Sequence, residues 1–342
     1  MLRYTKPWAL IALATPLLSS PLQAASFKYT TLAVPEQRIT LAAGTINAIN
    51  DSDQVVGSVE DNDFHFQGFV WSSGEFTLYP VATVLGVINN EGLAAGYTQI
   101  GSGYVTIDTG NGKTHTYNNH FDKNPFVSRL YGIDASGAVV AQDQYAKNVT
   151  AGYIFAGPTK TLLLAPGSDV KYGGTFATAI NDAATVTGSY FSGGVYEHGF
   201  SYQNGAFTTF DVPNALGGTF PYFIGDDGSI AGGYAPTPGA LQVGFVFCGG
   251  QFTSISPPGA NSSYVNAIGP YHEFVGSYWD DTGGHGFIFR AGRYYTIDVP
   301  GGKYTTIHAV NALGTLVGTY QDINGSVLSY VAQCAVGRNC TH

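Results

Sequence analysis

The chain has 342 residues, only 11% of them charged, and a formal net charge of −9. An acidic balance argues against nucleic acid and anionic membranes as partners. Charge is scarce beside the roughly 25% of ordinary globular domains, and Gly, Ser, Thr, Asn and Tyr take its place, a composition for short strands and tight turns.

The first residues read as a secretory leader. Arg3 and Lys6 precede an apolar run from Trp8 to Leu18, and Ser19-Ser20-Pro21-Leu22-Gln23-Ala24-Ala25 supplies the small-residue end. A membrane anchor is the competing reading, but the run is short of the roughly 20 residues that cross a bilayer. No later segment is long and apolar enough to span. Cleavage after Ala24, with Ala25 as second choice, leaves 318 of the 342 residues, and 12 of the 14 basic residues against 23 acidic ones. The assignment is residues 1–24 leader, 25–332 one repeat domain and 333–342 a tail, with a secreted, periplasmic or cell-surface location.

After the leader the chain repeats. Ile49-Asn-Asp-Ser-Asp-Gln-Val-Val-Gly57 returns as Ile88…Gly96, Ile180…Gly188, Ile224…Gly232, Ile268…Gly276 and Val310…Gly318, and more weakly as Ile133…Ala141. The closing positions lie 39 to 47 residues apart, the period of a four-stranded propeller blade. Each unit reads as four strands. The first ends at the Ile, and Asn, Asp and Gly make the turn. The second runs through the closing Gly and often ends in Tyr, as at Tyr97, Tyr190, Tyr234, Tyr278 and Tyr320. The third opens with Gly-aromatic, as in Gly199-Phe200, Gly244-Phe245 and Gly286-Phe287. The fourth is Phe207-Thr-Thr-Phe-Asp-Val-Pro213 and its copies, with Pro at an outer edge where a missing donor is tolerated. The glycines are expected to let backbones approach, and the Tyr to pack between blades with its hydroxyl at the rim. No segment holds a 3.6-residue apolar period, so helix is not expected.

The seventh unit has three strands, around Ile307, Leu316 and Tyr330, and lacks its fourth. Tyr29-Thr-Thr-Leu-Ala-Val-Pro35 overlays Phe207–Pro213 position by position. The sequence therefore predicts an all-β, seven-bladed β-propeller whose N-terminal strand closes the last blade, leaving no open edge at the seam. The repeats resemble bacterial extracellular proteins of the HAF-repeat type, through His198-Gly199-Phe200, His285-Gly286-Phe287 and Asp298-Val299-Pro300-Gly301. The resemblance implies the repeat type over most of residues 27–332 and no particular activity.

Chemistry-bearing motifs are few. There is no Gly-x-Ser-x-Gly elbow and no phosphate loop, and WD-type hallmarks are missing. His272-Glu273-Phe274-Val275-Gly276 begins like a zincin helix, but Gly276 stands where the second ligand belongs, and the repeat puts the segment on a strand. Asp61-Asn62-Asp63 reads as a solvated turn, since the later calcium ligands are missing. No catalytic residue, metal site or cofactor is assigned. In an oxidising compartment Cys334 and Cys340 are expected to pair, leaving Cys248 a buried free thiol.

A propeller keeps its blades constant and varies its loops, so the loops between second and third strands carry the candidate site. The ligand-binding candidates are Trp279, Asp280, Asp281, His285, Tyr196 and His198, with Trp279 foremost because no other unit has Trp there. Its alternative is a lid folded onto its own blade. Aromatics among Asp, Asn and His suit a sugar. The sequence therefore favours a non-enzymatic binding or interaction module with a glycan or another surface protein as partner. The rivals are a carbohydrate-active hydrolase or lyase, with carboxylates converging from different blades, and a purely structural surface protein.

Overall fold

Six antiparallel sheets of four consecutive strands follow one another along the chain, and a seventh of three consecutive strands completed by an N-terminal one closes the ring, a seven-bladed β-propeller. The computed structural model describes residues 23–24, 27–32, 45–60, 66–81, 83–98, 103–117, 129–146, 149–169, 174–193 and 196–334. Residues 1–22 of the expected leader 1–24, Asp61–Asp63, the connection 118–124 and the tail with Cys340 lie outside the described residues, and with them the Cys334–Cys340 pairing. Among the described residues there is no helix.

The first strands of the blades are Thr45–Ile49, Thr83–Ile88, Arg129–Ile133, Thr175–Ile180, Gly218–Ile224, Ser262–Ile268 and Lys303–Val310. Each is an edge strand of its sheet and touches the first strands before and after it in an unbroken cycle, so the seven surround the axis. The blades pack face to face. Phe69, Phe200, Phe245 and Phe287, from the Gly-aromatic pairs, are all but completely buried, each stabilising the fold by about 2–3 kcal/mol. Their glycines abut the next blade: a Cβ on Gly68 would strike Leu85, on Gly152 Ala177, and on Gly286 Ile307.

Closure follows the sequence. Phe27–Leu32 pairs antiparallel with Val327–Cys334 and is the outer strand of blade seven. Tyr320 there bonds Thr31 at 2.9 Å, as Tyr234 bonds Ser254 at 3.0 Å within blade five. These tyrosine hydroxyls reach across the third strand to the outer, fourth strand of their own blade. The two residues Gln23–Ala24 add a short parallel strand outside Arg293–Ile297 of blade six.

Every blade carries a β-bulge between its first and second strands, with the register slipping around residues 47, 86, 131, 178, 222, 266 and 308. The bulge explains the closing glycine. It pushes a first-strand carbonyl toward the second strand, where a Cβ on Gly96, Gly188, Gly232, Gly276 or Gly318 would collide with the oxygen of Val84, Phe176, Phe220, Tyr264 or Thr306. The bulged side chains turn to the next blade: Asn47 Nδ2 donates to Leu85 O (2.7 Å), Thr178 Oγ1 to Pro221 O (2.8 Å) and Asn266 Nδ2 to Ile307 O (2.7 Å).

The Ile-Asn-Asp turns do more than reverse the chain. Asn181 Oδ1 accepts the Thr185 N–H at 2.9 Å, closing its own turn, while Nδ2 donates to Gly225 O of the next blade at 2.9 Å. Asn50, Asn89 and Asn311 repeat both bonds. One residue on, the Asp51, Asp182 and Asp226 carboxylates accept N–H groups of Ala312, Ala135 and Asp182 in the preceding blade. Asn and Asp recur here because they staple blades as well as favour turns.

Candidate functional site

The two ends of the axis differ. Where the first-to-second-strand turns gather there is a cavity of about 450 Å³ whose walls include Asp51, Asn90, Asp226 and Asn311, residues of the inter-blade staples. His272 and Glu273 stand at this end in a turn, not on a strand as expected, with His272 at a φ of 54° and Glu273 Oε2 accepting the Tyr271 N–H at 2.7 Å. The segment is the blade-six turn, and Glu273 serves to close it.

At the opposite end lie the candidate loops. Trp279 and Asp280 belong to the strand Phe274–Asp280 rather than to a loop, with Trp279 paired to Gly284. Trp279 is half-buried. Its ring stands edge-on to Tyr264 of the same blade at 5.6 Å, and its indole nitrogen fills the space a Cβ on Gly284 would need. The ring thus rests on its own blade while part of it stays exposed. Asp280 Oδ1 accepts the Thr282 N–H (2.7 Å) and hydroxyl (2.6 Å), which hold its carboxyl below the ordinary aspartate value. Asp281 accepts Asn261 Nδ2 at 3.0 Å. His285 stacks on Tyr278 at 5.0 Å and bonds Asp298 at 3.0 Å through Nδ1.

His198 repeats this in blade four, with Tyr190 at 5.5 Å and Asp211 at 2.8 Å. The His of the third strand thus pairs with the Asp of Asp-Val-Pro, tying the two outer strands. Tyr196 is exposed at the start of the third strand of blade four. The structure gathers Trp279, Asp280, Asp281 and His285 around one hairpin of blade six and leaves Tyr196 and His198 two blades away. Among the described residues no hydrogen bond or ring contact links the two groups. No described group of His, Cys, Asp or Glu is arranged to hold a metal ion. Cys248, expected to be buried, is an exposed free thiol, because it ends its strand at the Gly249-Gly250 turn.

Trp279 instead joins a wall the sequence reading missed. Four residues before the closing Ile of the first strand, blades four, five and six carry Phe176, Phe220 and Tyr264, whereas blades one, two, three and seven carry Thr45, Val84, Arg129 and Thr306. Three residues after the closing Gly, blades four and six carry Phe191 and Trp279, and blades one, two, three and seven carry Glu60, Gln99, Gln144 and Gln321. Phe176 meets Phe191 edge-on at 5.9 Å, as Tyr264 meets Trp279. Tyr222 lies between them, 6.5 Å from Tyr264, its hydroxyl donating to Gln242 Oε1 at 2.6 Å; burial pushes that hydroxyl's pKa up. All six rings are half-buried. Beside them Glu197, opposite Phe191 in the strand register, accepts the Ser189 hydroxyl at 2.6 Å, and burial raises its carboxyl pKa. Comparing equivalent positions across the repeats would have found the wall.

The fold and this inner wall define a β-propeller with one chemically distinct arc. No protein-family model matches the chain, and no curated protein matches it. Solved structures do. The acylaminoacyl peptidase of Pyrococcus horikoshii superposes with a TM-score of 0.63 at 8% identity, over 85% of this chain and 51% of that one. The chain thus spans about half the length of that peptidase. The β-propeller domain of the Trilobed protease from Pyrococcus furiosus gives 0.59 at 10% identity, over 88% and 99%. The RRP9 WD40 repeats give 0.60 at 9%, over 92% and 99%. At these identities the likeness is one of fold.

Proposed function

We propose that the protein is an exported, non-enzymatic binding module that holds a glycan against the inner wall of blades four to six. The observation that carries this is the confinement of Phe176, Phe191, Phe220, Tyr264 and Trp279 to that arc. The remaining blades fold with Thr, Val, Arg, Glu or Gln at these positions, so the ring does not require aromatics there. Half-buried rings offer rigid apolar faces to the C–H faces of a sugar, and Gln242, Asn261 and Glu197 offer partners for its hydroxyls. The leader-like sequence before Ala25 supports export.

The repeat supplies its own test variants: Tyr264→Thr, the residue of blades one and seven, and Trp279→Gln, the residue of blade seven. A glycan array on the mature protein should identify a ligand, and each variant should weaken it at least about tenfold while the melting temperature stays within a few degrees. An empty array, or unchanged binding in both variants, refutes the proposal. Glu197 supports a hydrolase as second reading, because a half-buried carboxyl with a raised pKa suits a general acid. Release of reducing sugar that disappears in Glu197→Gln would favour it.

A further inference from the structure

At two seams a serine one residue past the closing Gly accepts a backbone N–H from the next blade: Ser58 Oγ from Leu85 (3.0 Å) and Ser277 Oγ from Ile307 (3.2 Å). At the seam of blades four and five the serine is Ser189, and the residue that would donate is Pro221, which has no N–H. The freed hydroxyl donates to Glu197 Oε2 instead. At Glu197's position in the repeat, blade five carries Gln242, and the remaining blades carry Phe66, Gly101, Thr150, Gly284 and Val327. Of the three serines at this position, Ser189 alone turns from its seam to a carboxyl, in the middle of the aromatic wall. Departures of this kind are expected where function overrides local consistency.

Among the described residues no cation is paired with Glu197, and the Ser189 hydroxyl is the one group that offsets the burial raising its pKa. A half-buried carboxylate without a positive partner is costly. A sugar hydroxyl would give it a hydrogen bond, whereas an ammonium group would give a bond and the missing charge. The rings nearest it add to the case. Phe191 faces it across the strand pair, the Phe220 ring and the Glu197 backbone both border Gly218, and Tyr222 is close enough for its hydroxyl to sense the carboxylate. Aromatic faces around a carboxylate form a site for an organic cation.

We infer that Glu197 recognises a protonated amine on the ligand, so that the preferred glycan is an amino sugar with its amine free; this rests on the glycan reading above. The experiment is calorimetric titration of the mature protein with β-1,4-linked glucosamine hexamer and, separately, its N-acetylated counterpart. The free-amine hexamer should bind at least about tenfold more tightly, the scale of one charge-assisted hydrogen bond, and the advantage should shrink in high salt. Glu197→Gln should abolish the difference while leaving the melting temperature unchanged, and Glu197→Asp should keep part of it. Equal affinities in the wild type, or a preference that survives Glu197→Gln, overturn the inference. If Tyr264→Thr then still removes binding of both hexamers, the glycan reading stands without it. If the wild type binds neither hexamer, the inference falls, and the array decides the glycan reading separately.

Discussion

Asn181 tests whether the recurring Asn is a staple or only a turn former. It is 5% exposed, and its two side-chain bonds point to different blades: the Thr185 N–H within blade four and Gly225 O in blade five. Replacement by Ala loses both bonds and leaves a donor and an acceptor to find water, at about 1 kcal/mol each, so a loss of about 2 kcal/mol is expected. Asp keeps the acceptor for Thr185 and loses only the donor to Gly225. Blade three shows this state naturally, since Asp134 accepts the Ala138 N–H at 2.8 Å within its turn. Asn181→Asp should therefore cost about half as much, about 1 kcal/mol. Guanidinium unfolding followed by tryptophan fluorescence gives both values from midpoint shifts at constant slope. No loss for Asp beside a clear loss for Ala would show that the bond to blade five contributes nothing, and a loss below about 0.5 kcal/mol for Ala would refute the staple altogether.

Closure and pH make two further tests. Tyr320→Phe removes the bond to Thr31 and should cost about 1 kcal/mol, and deletion of residues 27–32 should bare the Val327–Cys334 edge and cause aggregation, seen as a rise in light scattering; a monodisperse deletion variant would contradict the closure role. His308 Nδ1 donates to Ile46 O at 2.9 Å across the seam of blades seven and one, and burial lowers its pKa below the ordinary 6.5. Its folded pKa lies below the unfolded one, so its stabilising effect is present above about pH 6.5 and is lost as pH falls through the folded value. His308→Asn should flatten the melting temperature between pH 7 and 5, and an unchanged slope would count against this assignment.

The propeller was legible because it is written seven times. Period, turn chemistry and the overlay of Tyr29–Pro35 on Phe207–Pro213 each pointed to the same ring, and the strand Phe27–Leu32 lies where that overlay put it. What the repeat hides is why a residue recurs. The closing Gly looked like a turn or packing glycine, but its cause is a bulged carbonyl from another strand, such as Tyr264 O at Gly276. Asn181 looked like a turn residue because its bond to Gly225 spans 44 positions. Of the candidate residues, composition shows the polar hairpin of blade six but not what already engages it. Loop composition singles out Asp280 and His285, which the hairpin itself occupies through Thr282 and Asp298. The wall shows itself only when the same position is compared from blade to blade.

The staples also make the ring mechanically uneven. Asn311, Asn50 and Asn89 hand bonds forward from blade seven through one and two to three, and Asn181 does so from four to five. Blade six carries Gly269 and Pro270 at the stapling positions, and among the described residues no side-chain bond joins its turn to those of blades five or seven. Blade six is therefore held to its neighbours away from this end, by Asn266 and Ser277 to Ile307 and by Ser263 to Gly244. A guest lodging against Tyr264 and Trp279 would press on the leaf whose turn carries none of these rivets.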